Sequence, residues 1–331
     1  MESDELLRPL PAAAPGRNLI ALTVERRRLV ADDVVLLGLA AKDGRPLPAW
    51  APGAHVDLYL DGGGIVRQYS LCGDPRDTSR WNVAVLLEKN GRGGSAAVHR
   101  SCVEGASLQG GLPVNRFPLR EAPHVVFVAG GIGITPFLPM IGALERDGRS
   151  WELHYAGRRP ESMAFAGALE LWHGSRVSLY AKSEGTLLAL GSVLSNLPAA
   201  TAVYACGPAR LLDEVDNRCR AAGIKAHMER FAAPARPERV GLRQPDHAFE
   251  VHLERTGVTI VVEPGKSILA AAEAVGADVF GSCLEGVCGT CETRVLEGIP
   301  DHRDCVLDGA PTDTMMICVS RCKGARLVLD A

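Results

Sequence analysis

The sequence predicts a multidomain protein of α/β and β type: a β-barrel, a parallel α/β sheet, and a small C-terminal β-grasp domain. Three observations predict it. The first third is rich in strands, the middle alternates short apolar strands with helical stretches, and the last part holds a hairpin, a helix and closely spaced cysteines. With 331 residues, 47% of them hydrophobic, the chain can build two or three cored domains.

The first predicted domain, residues 18–120, has strands at 55–60 and 81–87, with Arg67-Gln-Tyr69-Ser70 between them. An arginine, an aromatic ring and a hydroxyl along one strand can contact a flavin from one side. The later run Gly93-Gly94-Ser95 offers a helix start that can bind a phosphate. The alternative is an ordinary surface strand followed by a turn.

The second predicted domain, residues 121–232, begins with a strand at 125–129 that leads into Gly130-Gly131-Ile-Gly133-Ile-Thr135-Pro136 and a helix. We expect Thr135 to be the N-cap and Pro136 to occupy the first turn. Free backbone N–H groups at such a helix start bind a pyrophosphate. Pro136 replaces the third glycine of the usual dinucleotide fingerprint.

Further strands, at 152–156, 176–180 and 202–205, alternate with helical stretches as a parallel nucleotide-binding sheet requires. The last one ends in Cys206-Gly207-Pro208, which places a thiol and a tight turn at the carboxyl edge of the sheet, where ligands bind. Alternatively, Cys206 is a buried structural thiol. The uncharged stretch 125–144 is long enough to span a membrane, but its glycines and prolines break any single helix, so no span is predicted.

A stretch rich in proline and alanine, residues 233–245, is the predicted linker to the third domain, residues 246–331. In that domain, alternating apolar residues predict a hairpin that turns at Gly257. Ser267 is the predicted N-cap of a helix that ends before Gly276. The hairpin strands are expected at 249–253 and 258–262, the helix at 268–275, and the final strand at 326–330.

The spacing of the cysteines is the most specific signal in the chain. Cys283, Cys288 and Cys291 follow the C-x4-C-x2-C pattern of a plant-type 2Fe-2S loop, and small residues between them allow backbone N–H groups to face the sulfurs. Zinc or buried free thiols are alternatives, but structural zinc prefers paired C-x2-C or Cys/His sets. The fourth predicted ligand is Cys318, in preference to Cys322 and Cys305, because hydrophobic residues flank it on both sides.

The net charge of −3 is unevenly distributed. Residues 246–331 hold 14 acidic and 7 basic side chains, whereas residues 1–245 hold 25 acidic and 29 basic ones. An acidic C-terminal domain favours docking on a basic partner, with an association that weakens as salt rises. The alternative is that the acidic surface only keeps the protein soluble.

The cysteines outside the C-terminal domain are scattered, which argues against a secreted disulfide scaffold, and the start Met-Glu-Ser-Asp-Glu lacks the features of a signal peptide. We therefore expect a cytoplasmic protein. We also expect a monomer, without a nucleic acid or a membrane as partner.

Five motifs in this order resemble the phthalate dioxygenase reductase family, which includes vanillate O-demethylase reductases. They are Arg67-Gln-Tyr-Ser70, Asn90-Gly-Arg-Gly-Gly-Ser95, Gly130 through Pro136, Cys206-Gly-Pro208 and the cysteine loop, and the resemblance covers about residues 18–331. It implies a ferredoxin-reductase-like fold for the first two domains. It also implies FMN and a 2Fe-2S cluster as cofactors, NADH as donor, and a terminal Rieske non-haem iron oxygenase as partner.

The resemblance further implies roles for individual residues. Ser70 would lie near flavin N5, Cys206 beside the nicotinamide, and Glu229 beside the flavin, and these three are the expected catalytic residues. FMN would be held by Arg67, Tyr69 and Ser70, with Tyr69 against the ring and Phe231 beside the flavin, and its phosphate would be bound by Gly93, Gly94 and Ser95. NADH would face Gly131, Gly133, Thr135, Pro136, Cys206, Gly207 and Pro208.

The chain departs from the family near a possible ribose 2′ site, where family members often carry an acidic residue. Arg158, Arg159 and Lys182 stand there instead and would suit a 2′-phosphate, although NADH remains the predicted donor. Two other functions stay open: a reductase for a cytochrome P450 or another oxygenase, and a non-catalytic redox sensor that uses its cluster as the signal. The aromatic substrate of the oxygenase is not specified, because a reductase does not touch it.

Overall fold

The computed structural model describes residues 18–195, 197–232, 246–307 and 313–331. The chain divides into two compact units, residues 1–229 and 230–331. The predicted linker, residues 233–245, lies outside the described residues. In the part that is described, no helix is both long and apolar enough to cross a membrane.

The first unit begins with an antiparallel barrel in the sheet order β4-β3-β6-β1-β2-β5, with β7 paired to β3. A bridge between Leu71 and Val83 joins the two ends of this order. Alternate side chains such as Val56, Leu58 and Trp81 are buried inside. The elements are β1 (Ile20–Ala31), β2 (Val34–Ala41), β3 (Ala54–Leu60), β4 (Ile65–Ser70), β5 (Trp81–Leu86), α1 (Gly94–Ser101), β6 (Ser107–Gly110) and β7 (Val114–Asn115).

The same unit continues with a parallel sheet in the order β10-β9-β8-β11-β12, as the alternation of strands and helices predicts. Its central strand is buried along almost its whole length, which is typical of a sheet covered on both faces. The elements are β8 (His124–Gly130), α2 (Phe137–Arg146), β9 (Ser150–Gly157), α3 (Ala166–His173), β10 (Val177–Ala181), α4 (Leu190–Val193), β11 (Thr201–Cys206), α5 (Ala209–Ala221) and β12 (Ala226–Glu229).

The start of α2 differs from the prediction. A 3-10 turn at Gly131–Ile134 comes between the strand and the helix, and Thr135 already has helical backbone angles. Its hydroxyl donates to the carbonyl of Ile132 at 3.0 Å, so Thr135 is not the N-cap. Pro136 occupies the N-cap position instead, without a side-chain cap. Gly148 follows the helix end with a φ of 62°, a backbone conformation that favours glycine.

The barrel and the parallel sheet share a hydrophobic cluster. Val34, Cys72 and Ala84 of the barrel pack there with Ala164, and Phe165 is packed against them. A second link is polar: Asp32 donates its backbone N–H to the carbonyl of Glu161 at 2.8 Å, and its carboxylate pairs with Arg159 at 3.0 Å. The first unit is therefore held together by buried apolar contacts as well as by hydrogen bonds.

The second unit has a five-stranded sheet in the order β14-β13-β19-β15-β17 and a two-stranded sheet of β16 and β18. The hairpin is present, the final strand pairs in parallel with the first one, and Ser267 caps the helix by accepting from the N–H of Ala270 at 3.1 Å. The elements are β13 (Phe249–Leu253), β14 (Val258–Val262), α6 (Ile268–Ala274), β15 (Glu292–Glu297), β16 (Pro300–Asp301), β17 (Thr314–Met316), β18 (Arg321–Cys322) and β19 (Arg326–Leu329).

Candidate functional site

The end of strand β4 lies beside the start of helix α1. Arg67 donates to the carbonyl of Arg92 at 2.7 Å, and a side chain at Gly94 would collide with that of Arg67. Gly93 is the N-cap of α1 with a φ of 79°, which favours glycine. The hydroxyl oxygen of Ser95 accepts from the backbone N–H of Glu88 at 2.9 Å. The structure thus brings the arginine and the predicted phosphate loop together.

Tyr69 is only partly buried and packs against the hydrophobic core of the barrel. Burial raises the pKa of its hydroxyl, and the nearby Arg67 offsets only part of this rise. The phenol is therefore neutral at physiological pH, and the ring offers an apolar surface next to the arginine.

Three strand ends bring Ser70, Cys206 and Glu229 together, although they are far apart in the sequence. The hydroxyl of Ser70 donates to Oε2 of Glu229 at 3.3 Å, and Cys206 is opposite Glu229 in the pairing of β11 with β12. Burial raises the pKa of Glu229, and the hydrogen bond from Ser70 opposes this effect only in part. The resulting pKa is about 8. Burial and the charge of Glu229 raise the pKa of the Cys206 thiol well above its usual range. A neutral carboxyl, a hydroxyl and a thiol therefore share one site at neutral pH.

The glycine loop after β8 packs closely against the turn after β11. A Cβ atom at Gly133 would collide with the carbonyl of Cys206 and lie 2.8 Å from the nitrogen of Gly207. A Cβ atom at Gly207 would in turn lie 2.9 Å from Cα of Gly130. Because β8 and β11 are parallel neighbours, both turns lie at the carboxyl edge of the sheet. Glycine at these positions permits a close backbone approach that no other residue allows.

The other residues that were predicted to bind the nucleotide are near this edge, but the Thr135 side chain is not oriented as expected. Thr135 and Pro136 are buried, and the Thr135 hydroxyl bonds within its own turn rather than pointing at a ligand. Pro208 lies beside Gly130 and is the N-cap residue of helix α5. Phe231 belongs to the second unit and is 45% exposed, so its predicted place beside the flavin stays a prediction.

The basic residues near the possible 2′ site are at the ends of β9 and β10. The backbone N–H of Ser183 donates to the carbonyl of Arg158 at 2.9 Å, which brings the two strand ends together. Arg159 pairs with Asp32, a partner that sequence reasoning missed because it comes from the barrel. Arg158 and Lys182 are exposed, and within the described residues their side chains form no ion pair.

In the second unit, four thiols form a connected group in which each contacts at least one other. The thiols of Cys288 and Cys318 hydrogen-bond that of Cys283, and these bonds lower its pKa; Cys318 likewise lowers the pKa of Cys291. Cys322 is outside this group: its sulfur accepts from the N–H of Gly324 at 3.2 Å. The structure thus brings Cys318 to the three thiols of the C-x4-C-x2-C motif and places Cys322 elsewhere.

The cysteine loop also turns backbone N–H groups toward its sulfurs. Glu285 and Val287 donate to the sulfur of Cys283 at 3.4 and 3.5 Å, and Thr290 donates to that of Cys288 at 3.5 Å. Such bonds stabilise thiolates, so the four cysteines fit a 2Fe-2S cluster. Among the residues described, no group of three or more His, Cys, Asp or Glu side chains is arranged to hold a single metal ion.

Sequence reasoning missed the importance of Asp304. Asp304 ends the four-residue motif Asp301-His-Arg-Asp304, and its carboxylate is almost fully buried next to the cysteine loop. Two acidic residues in a four-residue motif was the available signal. Which of the two is buried depends on the tertiary fold, and the sequence pattern does not report it.

Comparisons with known proteins agree with this organisation. A family model for the 2Fe-2S iron-sulfur cluster binding domain matches residues 251–323. The phenoxybenzoate dioxygenase subunit beta of Ectopseudomonas oleovorans is 42% identical over 327 residues, which is 96% of this chain and 99% of that protein. The solved structure of phthalate dioxygenase reductase, described as a modular structure for electron transfer from pyridine nucleotides to 2Fe-2S, is 35% identical with a TM-score of 0.70, covering 95% of this chain and 98% of the other.

An intact type IV self-sufficient cytochrome P450 monooxygenase is also similar, with 39% identity and a TM-score of 0.83. The match covers 95% of this chain but only 41% of that protein, so the chain spans about two fifths of its length. The full-length relative, the full-length structural match and the iron–sulfur domain all agree with the motifs of the sequence. The chain belongs to the phthalate dioxygenase reductase family.

Proposed function

We propose that this protein is the reductase component of a Rieske-type oxygenase system and passes electrons from NADH through FMN and a 2Fe-2S cluster to the terminal oxygenase. One observation carries the proposal: a single chain combines the Ser70, Cys206 and Glu229 site with a group of four thiols. Bound FMN supplies the chemistry that joins a two-electron hydride donor to a one-electron carrier. The protein supplies binding, orientation and electrostatics.

At the flavin site, Arg67 and the start of α1 would hold the phosphate of FMN. A guanidinium and the free N–H groups of a helix start both favour a phosphate anion. Tyr69 would lie against the ring, and Ser70 would place its hydroxyl near N5. Glu229 would set which way that hydroxyl donates, since it is the hydrogen-bond partner of Ser70.

At the nucleotide site, NADH would lie along the carboxyl edge of the sheet. Gly131 and Gly133 would face its pyrophosphate, with Thr135 and Pro136 shaping the turn from inside. Cys206, Gly207 and Pro208 would face the nicotinamide end. The buried, protonated thiol of Cys206 would fill this position without introducing a charge.

In the second unit, Cys283, Cys288, Cys291 and Cys318 would be the cluster ligands. The N–H groups of Glu285, Val287 and Thr290 would stabilise the negative charge of the sulfurs. Cys322 would stay a structural thiol, because its sulfur bonds within its own turn.

The Rieske type of the oxygenase is inferred from similarity to dioxygenase components over the full length of the chain. A cytochrome P450 is a second candidate acceptor, because a self-sufficient P450 monooxygenase contains a region similar to this chain. We further propose a monomer in the cytoplasm. None of the ten cysteines, all of which are among the described residues, forms a disulfide, which suits a reducing compartment.

The first test is an absorbance spectrum of the purified protein, combined with extraction of its flavin. We expect FMN and a 2Fe-2S cluster in equal amounts. Stopped-flow reduction by NADH should then be slower in Ser70→Ala than in Ser101→Ala, a matched change at an exposed serine. An unchanged rate in Ser70→Ala would remove this residue from the site.

An assay with artificial electron acceptors distinguishes an enzyme from a redox sensor. A reductase should reduce ferricyanide and cytochrome c rapidly with NADH, because the hydride acceptor and the one-electron carrier are in one chain. Negligible reduction of both acceptors by cofactor-loaded protein would contradict the proposed function and favour the sensor.

A further inference from the structure

Asp304 contacts the loop that carries three of the four thiols. Its side chain is only 1% exposed. A Cβ atom added at Gly286, which lies between Cys283 and Cys288, would be 3.0 Å from both Cα and Cβ of Asp304. The next residue, Cys305, donates its backbone N–H to the carbonyl of Gly286 at 2.9 Å. The Asp304 segment is therefore packed directly against the cysteine loop.

On its other side, Asp304 contacts the segment that carries the fourth thiol. The hydroxyl of Ser320, two residues after Cys318, donates to Oδ2 of Asp304 at 3.4 Å, and its oxygen accepts from the N–H of Arg303 at 3.1 Å. Ser320 is fully buried. The neighbouring Val319 also contacts the loop, because its Cγ2 would lie 2.6 Å from a Cβ atom at Gly286.

The carboxylate of Asp304 is fixed in this position. Its Oδ1 accepts from the backbone N–H groups of Val306 and Leu307 at 3.0 and 2.8 Å. With Ser320 on Oδ2, the carboxylate has three donors, which offsets the cost of burying its charge. An acceptor held so firmly can fix both segments that it contacts.

We propose that Asp304 is a positioning residue of the iron–sulfur centre, which holds the Cys318 segment against the loop of Cys283, Cys288 and Cys291. This inference rests on the proposed function only in that the four thiols hold the cluster. Asp304 acts through Gly286 and Ser320 and does not itself bind iron. Its buried negative charge also lowers the reduction potential of the cluster, because adding an electron near a fixed anion is unfavourable.

The test measures loss of visible absorbance from full-length, cofactor-loaded protein in the presence of a chelator. In Asp304→Ala, we expect the cluster to be lost at least about tenfold faster, since a step of 1.4 kcal/mol in a barrier changes a rate tenfold. Asp304→Asn should lose it at nearly the wild-type rate, because the amide oxygen can still accept hydrogen bonds. Asp301→Asn is the matched control: it removes a charge from the same motif, but its carboxylate pairs with Arg303.

A potentiometric titration provides a readout that a merely structural role would not change. Asp304→Asn should raise the midpoint potential of the cluster by up to about 59 mV, which corresponds to a tenfold change for one electron. Asp301→Asn should change it less, because its side chain is more exposed. If Asp304→Ala does not fold, the potentiometric titration of Asp304→Asn still tests the proposal.

Three results would overturn the inference: wild-type cluster retention in Asp304→Ala, equally fast loss in Asp304→Asn, or an unchanged potential in Asp304→Asn. Each leaves the proposed function intact. A wild-type protein without a cluster would instead refute the proposed function itself.

Discussion

The pH dependence of flavin reduction is expected to report the protonation of Glu229. Burial raises the pKa of this carboxyl to about 8, so the protonated form prevails below that pH. A protonated Glu229 can donate to Oγ of Ser70 and leave the serine proton free for flavin N5. The ionised form can only accept a hydrogen bond, so the Ser70 hydroxyl then donates to Glu229, 3.3 Å away, and is no longer available to N5. Reduction by NADH should therefore slow as the pH rises through 8.

The size of the effect follows from the same two residues. With a pKa of about 8, roughly 90% of Glu229 is protonated at pH 7 and roughly 10% at pH 9. A hydrogen bond of about 1 to 1.5 kcal/mol that is lost in the transition state costs up to about tenfold in rate. Because neither form is fully populated at pH 7 or pH 9, we expect an observed decrease of about threefold to fivefold between these pH values. Cys206 does not contribute, since its pKa is well above 9.

The assay is anaerobic stopped-flow reduction of the flavin at saturating NADH from pH 6 to pH 9.5. Glu229→Gln keeps a hydrogen-bond donor at this position but does not titrate, so its rate should stay near the low-pH value of the wild type throughout. A flat wild-type profile, a rate that increases with pH, or the same midpoint in Glu229→Gln would refute the reasoning.

Three further predictions concern the thiols, the glycine loop and the nucleotide. Cys318→Ser should abolish the visible absorbance of the cluster whereas Cys322→Ser keeps it; the reverse result would exchange their roles. Gly133→Ala should raise the KM for NADH about tenfold and destabilise the fold by about 1 to 3 kcal/mol, because its Cβ would collide with the Cys206 carbonyl; Gly167→Ala, with open space around it, is the control, and equal behaviour of the two would contradict this. The kcat/KM for NADH should be higher than that for NADPH, and Lys182→Ala should lower only the kcat/KM for NADPH. A wild-type kcat/KM for NADPH equal to or above that for NADH would overturn the predicted preference for NADH.

Elements that depend on local patterns could be predicted well from the sequence. The hairpin and the Ser267 cap follow from alternation and from one side chain, and both are present. The N-cap at Thr135 was wrong for a local reason too: a threonine hydroxyl can bond either to the helix start or to a preceding carbonyl, and here it bonds to Ile132. Residue type alone does not distinguish these two bonds.

Features that depend on packing between distant segments could not be predicted in the same way. The raised pKa of Glu229 arises from burial where three strands end, and the ion pair of Arg159 with Asp32 joins residues 127 positions apart. The hydrophobic residues around Cys318 did indicate a buried thiol. That its sulfur contacts Cys283 depends on how the strand and the loop pack.

The cluster shared by the barrel and the parallel sheet has a consequence for how such enzymes can be recombined. Because Cys72 of the barrel packs in one apolar cluster with Ala164 and Phe165, which directly precede helix α3, a cut near residue 120 would expose apolar surface on both fragments. An exchange of the nucleotide-binding sheet alone would have to restore each apolar contact of that cluster. A grafting experiment, or a natural gene fusion, is therefore expected to move residues 18–229 as a single cassette.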